Sequence, residues 1–355
     1  MKNNSNRPFV SVVIPVYNEE KYIGNTLNSI FLQDYPTSAF EVLVVDGNSN
    51  DRTREIISKF VNTHKNIKLI HNVEKIIPIG LNLGIQFSKG DIIIRMDGHC
   101  EIQSDYISNC VKSLNAKDID CVGGVITTKS NGNLISKSIA YAQSSFFGVG
   151  NVPFRTGSKE SKLVDSVAWG AYRRKVFSKI GGYDEELVCN EDDEFNFRLT
   201  ESGGKILLNP KIKSTYYSRC KYFDLWKQYW RYGYFKIRVF QKIEKMLSLR
   251  HFIPSLFVVS LFFPIILVLA LPLRGLQYVI PLIYAIVNLL SSIIVARKNK
   301  KMIPFIMISY SILHLSYGVG FIFGLWKFRK KWAKSRTINE YFNKHKFKLN
   351  SNKQI

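Results

Sequence analysis

Hydrophobic and polar positions alternate along the first hundred residues in blocks. Residues 9–16 (FVSVVIPV) form a short apolar, β-branched run, which predicts a buried strand. A helical pattern follows, with Tyr22, Leu27, Ile30 and Phe31 apolar and turn signals from Asp34 to Pro36. Residues 40–45 (FEVLVV) predict a second strand ending at Asp46, and residues 52–60 a second amphipathic helix. A third strand is expected at 67–70, a helix at 79–87 and a fourth strand at 91–96 (DIIIRM), ending at Asp97. Strands alternating with helices imply an α/β fold with a mostly parallel sheet flanked by helices. Ligands in such sheets bind beyond the carboxyl ends of the strands. Three polar motifs lie there, YNEE, DGNSND and DGHC, and are expected to converge on one cleft. Residues 101–220 are less regular, with helix signals at 106–114, 173–180 and 191–201.

The pattern changes at residue 252. Residues 252–273 and 276–296 carry no charge until Arg274 and Arg297, and 303–326 has His314 as its one ionisable side chain. About 20 apolar residues cross a ~30 Å hydrocarbon core. A C-terminal α-helical membrane anchor of two to three segments is therefore expected over 252–326, after a domain at 1–240 and before a basic tail at 327–355. The third segment is the most polar of the three (Ser309, Tyr310, Ser311, His314, Ser316, Tyr317), and is expected to be the irregular one.

Charge sharpens this picture. The chain has 50 basic and 27 acidic residues, a net +23. Seven of the basic residues fall between 227 and 250, against one acid, Glu244. A basic collar beside a membrane segment gains roughly 1 kcal/mol per Lys or Arg near an anionic leaflet. Membrane lipid is therefore the expected partner; no common nucleic-acid module is present and nucleic acid is not expected. The polar N-terminus leads straight into a strand with no signal-peptide pattern, so the first domain is expected in the cytoplasm, on a multi-pass protein of the cytoplasmic (inner) membrane. Charge bias then places the Arg274 loop outside and 297–301 inside. A third full crossing would put residues 327–336, with six Lys or Arg, outside, against that bias. Either the third segment dips and returns, or the rule is broken. The five cysteines are loosely spaced, with no C-x-x-C pair, and read as reduced thiols.

Several motifs carry candidate chemistry. Asp97 and His99 stand two residues apart beyond a strand end, where both can face one divalent cation, Mn²⁺ or Mg²⁺; a strand-ending turn with an exposed His is the alternative. The sequence His99-Cys100-Glu101 also fits the H-x-E of zinc deaminases, but the P-C-x-x-C that class needs is absent. Asp46 either accepts hydrogen bonds from a ribose or base or closes an Asx turn. Tyr17-Asn18-Glu19-Glu20 either caps a helix or lines a base pocket. Glu191-Asp192-Asp193-Glu194 exceeds what a helix N-terminus needs, and crowded like charges raise a carboxylate pKa toward that of a general base. Gln228, Arg231 and Tyr232 sit in an aromatic cluster just before the apolar region. It reads either as a membrane-interface belt or as a helix (about 222–250) that holds an acceptor sugar or donor phosphates. No phosphate-binding GxxxxGK[ST] loop, GxGxxG after a strand, or GxSxG elbow is present.

Taken in order, VSVVIPVYNEE, VLVVDGNSNDRT, IRMDGHC, GGYDEEL and NEDDEFNFRL resemble the family-2 glycosyltransferases. PKIKSTYYSR and QYWRYGYFK further resemble that family's succinoglycan-biosynthesis glucosyltransferase branch. The resemblance covers about residues 8–240. It implies a GT-A fold, a nucleotide-sugar donor (a UDP-sugar), a divalent metal and inversion at the anomeric carbon. Carried over, Pro15, Tyr17, Glu19, Asp46 and Asp97 hold the donor nucleotide. Asp97 and His99 take the metal position, His99 replacing the second acid of the D-x-D motif. Asp192, paired with Glu191, takes the catalytic-base position. Trp169, Gln228, Arg231 and Tyr232 are placed at the acceptor and phosphates, Tyr232 standing where processive synthases have Trp. The implied activity is sugar transfer to a polyprenyl-linked saccharide in exopolysaccharide, capsule or other surface-glycan assembly. A processive synthase and a silent membrane scaffold are the rival expectations.

Overall fold

The computed structural model describes residues 7–116, 118–130, 132–243, 251–270, 276–297 and 299–334. Residues 244–250 of the basic run, 271–273 with Arg274, and 335–355 of the basic tail lie outside the described residues. The chain divides into two compact units. Of the described residues, one holds those up to Thr127 and Gly157–Tyr216; the other holds Thr128–Thr156 and Tyr217–Ser335.

The strands are β1 (Val10–Val16), β2 (Phe40–Asp46), β3 (Ile67–His71), β4 (Ile92–Arg95), β5 (Cys100–Ile102), β6 (Cys121–Lys129), β7 (Lys162–Leu163), β8 (Ala171–Arg173) and β9 (Ile206–Tyr217). They form one sheet in the order β3-β2-β1-β4-β8-β6-β9-β5, with β7 on β9. β1, β2 and β4 are buried almost throughout, which is why they read as unbroken apolar runs. The expected parallel sheet is the β3-β2-β1-β4 half, where Val10 faces Phe40 and Val16 faces Asp46. Beyond β4 the sheet is mixed: β4–β8, β6–β8, β5–β9 and β7–β9 are antiparallel. The change falls where the regular strand–helix alternation of the sequence stops.

Flanking this sheet are α1 (Ile23–Phe31), α2 (Thr53–Thr63), α3 (Ile77–Phe87) and α4 (Tyr106–Leu114). α1 buries Ile23, Leu27 and Ile30, spaced four and three residues apart along one helical face. α3 approaches β1 through Gly84, where a Cβ would stand 2.3 Å from Val13 Cγ1.

The second unit is helical. Its insert supplies α5 (Leu134–Gln143), α6 (Phe146–Val149) and α7 (Pro153–Thr156); the first unit then adds α8 (Arg174–Ile180) and α9 (Glu191–Glu201). The C-terminal part of the second unit consists of α10 (Tyr222–Ile243), α11 (Ile253–Ala270), α12 (Leu276–Ala296) and α13 (Ile303–Phe328). Among the described residues two stretches, Gln277–Ala296 and Lys300–Lys331, are long and apolar enough to cross a membrane. The third apolar segment, expected to be irregular, is a continuous helix of 26 residues. Its polarity has another cause. Ser309 Oγ lies 2.9 Å from Ser138 Oγ, Tyr310 OH donates to Ser145 Oγ at 2.8 Å, and His314 Nε2 lies 2.8 Å from the Phe147 carbonyl. These side chains bond within the unit.

α10 and α13 meet backbone to backbone. A Cβ on Gly320 would lie 2.2 Å from the Trp230 carbonyl oxygen, and one on Gly324 2.4 Å from that of Tyr234. Small residues permit such close approach of helices. Overpacking a fitted contact costs about 1–3 kcal/mol, so Gly320→Leu is expected to lower the thermal midpoint of the detergent-solubilised protein by several degrees. Ile294→Ala, on the exposed face of α12, serves as control, and an unchanged midpoint for Gly320→Leu would refute the close packing.

Candidate active site

The polar ends of β1 and β2 are joined by hydrogen bonds. The Asn18 amide donates to Ser49 Oγ (2.9 Å), that of Asn50 to Asn18 Oδ1 (2.9 Å) and that of Glu19 to Thr53 Oγ1 (2.7 Å). Asn18 and Asn48 hold left-handed backbone, φ 55° and 62°, which Asn tolerates better than most residues. Asp46 ends β2 fully buried. Its oxygens accept from the Ser49 amide at 3.2 Å, and Arg54 Nε donates to Oδ2 at 2.5 Å. Asp46 therefore closes a turn and holds Arg54 beside it. Pro15 lies part-buried in β1 opposite Val45, and Tyr17 is exposed.

Beyond β4 the chain turns through Gly98, where a Cβ would press on Val16 Cγ1 at 2.8 Å and Glu19 Cγ at 3.1 Å. That approach brings His99 to the first loop: its Nδ1 lies 2.8 Å from Glu19 Oε1, with Tyr22 and Tyr216 edge-on to the imidazole. A carboxylate on one ring nitrogen is the device that orients a metal-ligating histidine. Asp97 is held at both oxygens. Arg95 Nη2 lies 3.1 Å from Oδ1, and the Trp169 indole N–H donates to Oδ2 at 2.9 Å. Trp169 is buried at φ 50°, a strained conformation for a bulky residue that costs of order 1–3 kcal/mol. The Tyr106 hydroxyl, donating to the Trp169 carbonyl at 2.8 Å, helps fix it.

Arg95 is the residue that sequence reasoning missed. It lies buried in β4, and the Nη2 that meets Asp97 also stands 3.2 Å from Glu191 Oε1. Its Nε is buried with no hydrogen-bond partner. The available signal was an arginine inside an otherwise apolar strand, since Arg is almost never buried unpaired. Burial works against its charge, but Asp97, Glu191 and Asp192 prevail and hold the guanidinium protonated.

The four acids at the start of α9 divide. Asn190, at φ 63°, turns the chain into the helix. Glu194 is buried in a two-toothed ion pair with Arg198, which also donates to the Ile180 and Gly182 carbonyls, so Glu194 is structural. Glu191 is buried beside Arg95, and Asp192 is part-exposed. Burial first, and then the neighbouring Asp192 charge, push the Glu191 pKa up to about 7, with Arg95 opposing. Crowding of like charges, the argument from sequence, ranks second. Gln228, Arg231 and Tyr232 lie on α10 in the second unit, where Gln228 Nε2 donates to Tyr232 OH at 2.9 Å. All five cysteines are free thiols, four of them buried.

With this geometry in view, comparison places the chain. Residues 11–181 match glycosyl transferase family 2. Over 238 residues the chain is 31% identical to a dolichyl N-acetyl-α-D-glucosaminyl phosphate 3-β-D-2,3-diacetamido-2,3-dideoxy-β-D-glucuronosyltransferase of Methanococcus voltae, covering 63% of this chain and 72% of that one. It is 28% identical over 327 residues to the succinoglycan biosynthesis protein ExoA of Rhizobium meliloti (strain 1021), covering 91% of this chain and 96% of that one. The mannosyltransferase of Pyrobaculum calidifontis, solved with GDP-Man and Mn²⁺, shares the fold at a TM-score of 0.57 and 17% identity, over 91% of this chain and 88% of that one. The chain belongs to glycosyl transferase family 2, and the GT-A fold and the expected family are borne out.

The Glu191 shift sets a pH dependence. Between the ordinary carboxyl value of 4.5 and the folded value of about 7, the native state binds the extra proton. Stability from protonated Glu191 is complete below pH ~4.5 and lost as pH rises through ~7. Glu191→Gln is neutral throughout, so its thermal midpoint is expected to gain on wild type between pH 5 and pH 8. An offset that stays constant over that range would contradict the raised pKa.

Proposed function

We propose that this protein is an inverting transferase that moves one sugar from a nucleotide-diphosphate donor to a lipid-linked saccharide at the cytoplasmic face of a membrane. The observation that carries the reading is the buried Arg95, which ties the carboxylate after β4, Asp97, to the acidic N-terminus of α9. Two carboxylate groups from distant parts of the chain thereby share one fixed site. Asp192, part-exposed beside the buried Glu191, takes the proton of the acceptor hydroxyl as that oxygen attacks the anomeric carbon. General-base help of this kind contributes about 10²–10⁴-fold. Inversion follows from a single displacement. Asp46 with Arg54, Pro15 and Tyr17 offer the donor nucleotide its base and ribose contacts; Gln228, Arg231 and Tyr232 are assigned to acceptor or phosphates.

The residues fit a divalent cation. Such an ion is commonly held by one or two side chains together with substrate phosphates, and the Asp97 carboxylate with a Glu19-oriented His99 supplies that donor set. Among the described residues no group of three or more His, Cys, Asp or Glu gathers around one point, so the diphosphate would complete the coordination. When bound, Mn²⁺ or Mg²⁺ would neutralise charge on the leaving diphosphate. The Methanococcus relative's name specifies a dolichyl-phosphate-linked sugar acceptor, and succinoglycan is a polysaccharide; both favour a lipid-linked acceptor in surface-glycan assembly. A UDP-sugar is the proposed donor.

The experiment is a donor screen with purified protein, Mn²⁺ and membrane lipid extract, following nucleotide release. Release from one donor is expected, abolished by chelation and restored by Mn²⁺ or Mg²⁺. Asp97→Ala and Asp192→Asn should each lower it by about 10²-fold or more. No release from any donor, or full activity in Asp192→Asn, would overturn the assignment.

A further inference from the structure

α3 is an apolar helix with two polar side chains. Gln86 is exposed, but Asn82 is buried. Its carboxamide serves both backbone groups of one distant residue. Asn82 Oδ1 accepts from the Tyr183 amide at 2.8 Å, and Nδ2 donates to the Tyr183 carbonyl at 2.9 Å. Nδ2 also donates to Glu185 Oε1 at 2.9 Å. Tyr183 is buried, and its backbone groups would be costly to leave unpaired. A carboxamide can accept one of these bonds and donate the others, which an ionised carboxylate cannot do.

The loop held in this way leads to the acids of α9. From the other side Arg198 donates to the Ile180 and Gly182 carbonyls at 2.6 and 2.7 Å, so residues 180–183 are gripped between α3 and α9. The Tyr183 ring stacks on Phe195, with centroids 4.4 Å apart. Phe195 stands four residues after Glu191, on the same face of α9 and one turn along. Both are buried. Tyr183 therefore braces the face of α9 that turns Glu191 to Arg95, and Asp192 is carried with it.

The other end of this linkage is the sheet. α3 lies directly on β1 and β2: a Cβ on Gly84 would stand 2.3 Å from Val13 Cγ1 and 3.2 Å from Val45 Cγ2. Asn82 thus ties the acidic start of α9 to the strands whose ends carry YNEE and DGNSND. Its own hydrogen bonds all go to residues 183 and 185, and none to those two loops.

The geometry points to Asn82 as a positioning residue for the transfer step. Through Tyr183 it fixes the depth and rotation of α9, and so the place of Asp192 relative to the reacting sugar. This rests on the proposed role of Asp192. Because Asn82 reaches the acids and not the first two donor loops, its loss falls on kcat and leaves the donor KM unchanged. A tie that served stability alone would produce no such split.

The test measures nucleotide release by the full chain in detergent, from the UDP-sugar that the wild type uses, with membrane lipid extract as acceptor. Asn82→Asp keeps the size of the side chain, withdraws its donor and sets a carboxylate beside Glu185. Its kcat is expected to fall by about 10-fold to 10²-fold, the loss that a small misplacement of a catalytic group causes, at an unchanged donor KM. Glu185→Gln alone keeps the accepting oxygen and should match the wild type. In the variant carrying both changes the Gln amide donates to the introduced carboxylate, and most of the lost kcat should return. Wild-type kcat in Asn82→Asp, a donor KM that worsens as much as kcat, or no recovery in the double variant would overturn the proposal. Should Asn82→Asp fail to accumulate, Asn82→Ser takes its place, with the same split expected. A wild type that releases nothing would refute the proposed function, and the tie is then read without turnover. Amide hydrogen exchange over residues 184–199 should quicken in Asn82→Ser while that of α2 stays as it was; unchanged exchange over 184–199 would overturn the role of Asn82.

Discussion

The arrangement of the first unit depends on one buried cation. Arg95 is fixed by β4, in the middle of the sheet, and one of its terminal nitrogens reaches both Asp97, two residues on, and Glu191, at the start of α9. Removing either acid would leave a buried positive charge with less compensation, and removing Arg95 would leave two acids close together in a site of low polarizability. Losing one partner of a buried pair costs about 3–5 kcal/mol, although the intact pair adds little over an apolar replacement. What the pairing gives is position. It holds the Asp97 carboxylate against Trp169 and sets the acidic start of α9 at the strand ends, where the proposed chemistry requires both.

Much of this was legible in the sequence because it is local. Strands that end in YNEE, DGNSND and DGHC announce their own boundaries, and the structure places those ends as the patterns indicated. The hydrogen bonds between Asn18, Ser49 and Asn50 follow from two loops lying beside each other at adjacent parallel strands. The partnership of Arg95 with Glu191 was not legible, since 96 positions separate them and no spacing rule connects them. The acids at 191–194 look equivalent in sequence. Only the fold separates a buried, proton-retaining Glu191 from a part-exposed Asp192. Glu194 could have been recognised earlier, because Arg198 stands four residues on, at the spacing of a helical ion pair.

The helical unit shows the limit of hydropathy in a different way. Three uncharged stretches look alike to a count of apolar residues, yet α12 shows most of its apolar window to its surroundings and α13 hides nearly half of it. The difference lies in glycine. Gly233, Gly320 and Gly324 let a charged helix lie directly on an apolar one, and three of the polar residues that made the third segment look irregular, Ser309, Tyr310 and His314, are its bonds to the insert.

The central claim is that Arg95 and Glu191 act as a coupled pair. A double-mutant cycle on thermal stability at pH 8, above the Glu191 pKa of about 7, measures this directly. Arg95→Met alone strands a buried carboxylate and should be strongly destabilising, while adding Glu191→Gln removes that charge and should recover at least about 1 kcal/mol. Additive losses in the double variant would contradict the coupling, and with it the account of how the site is held.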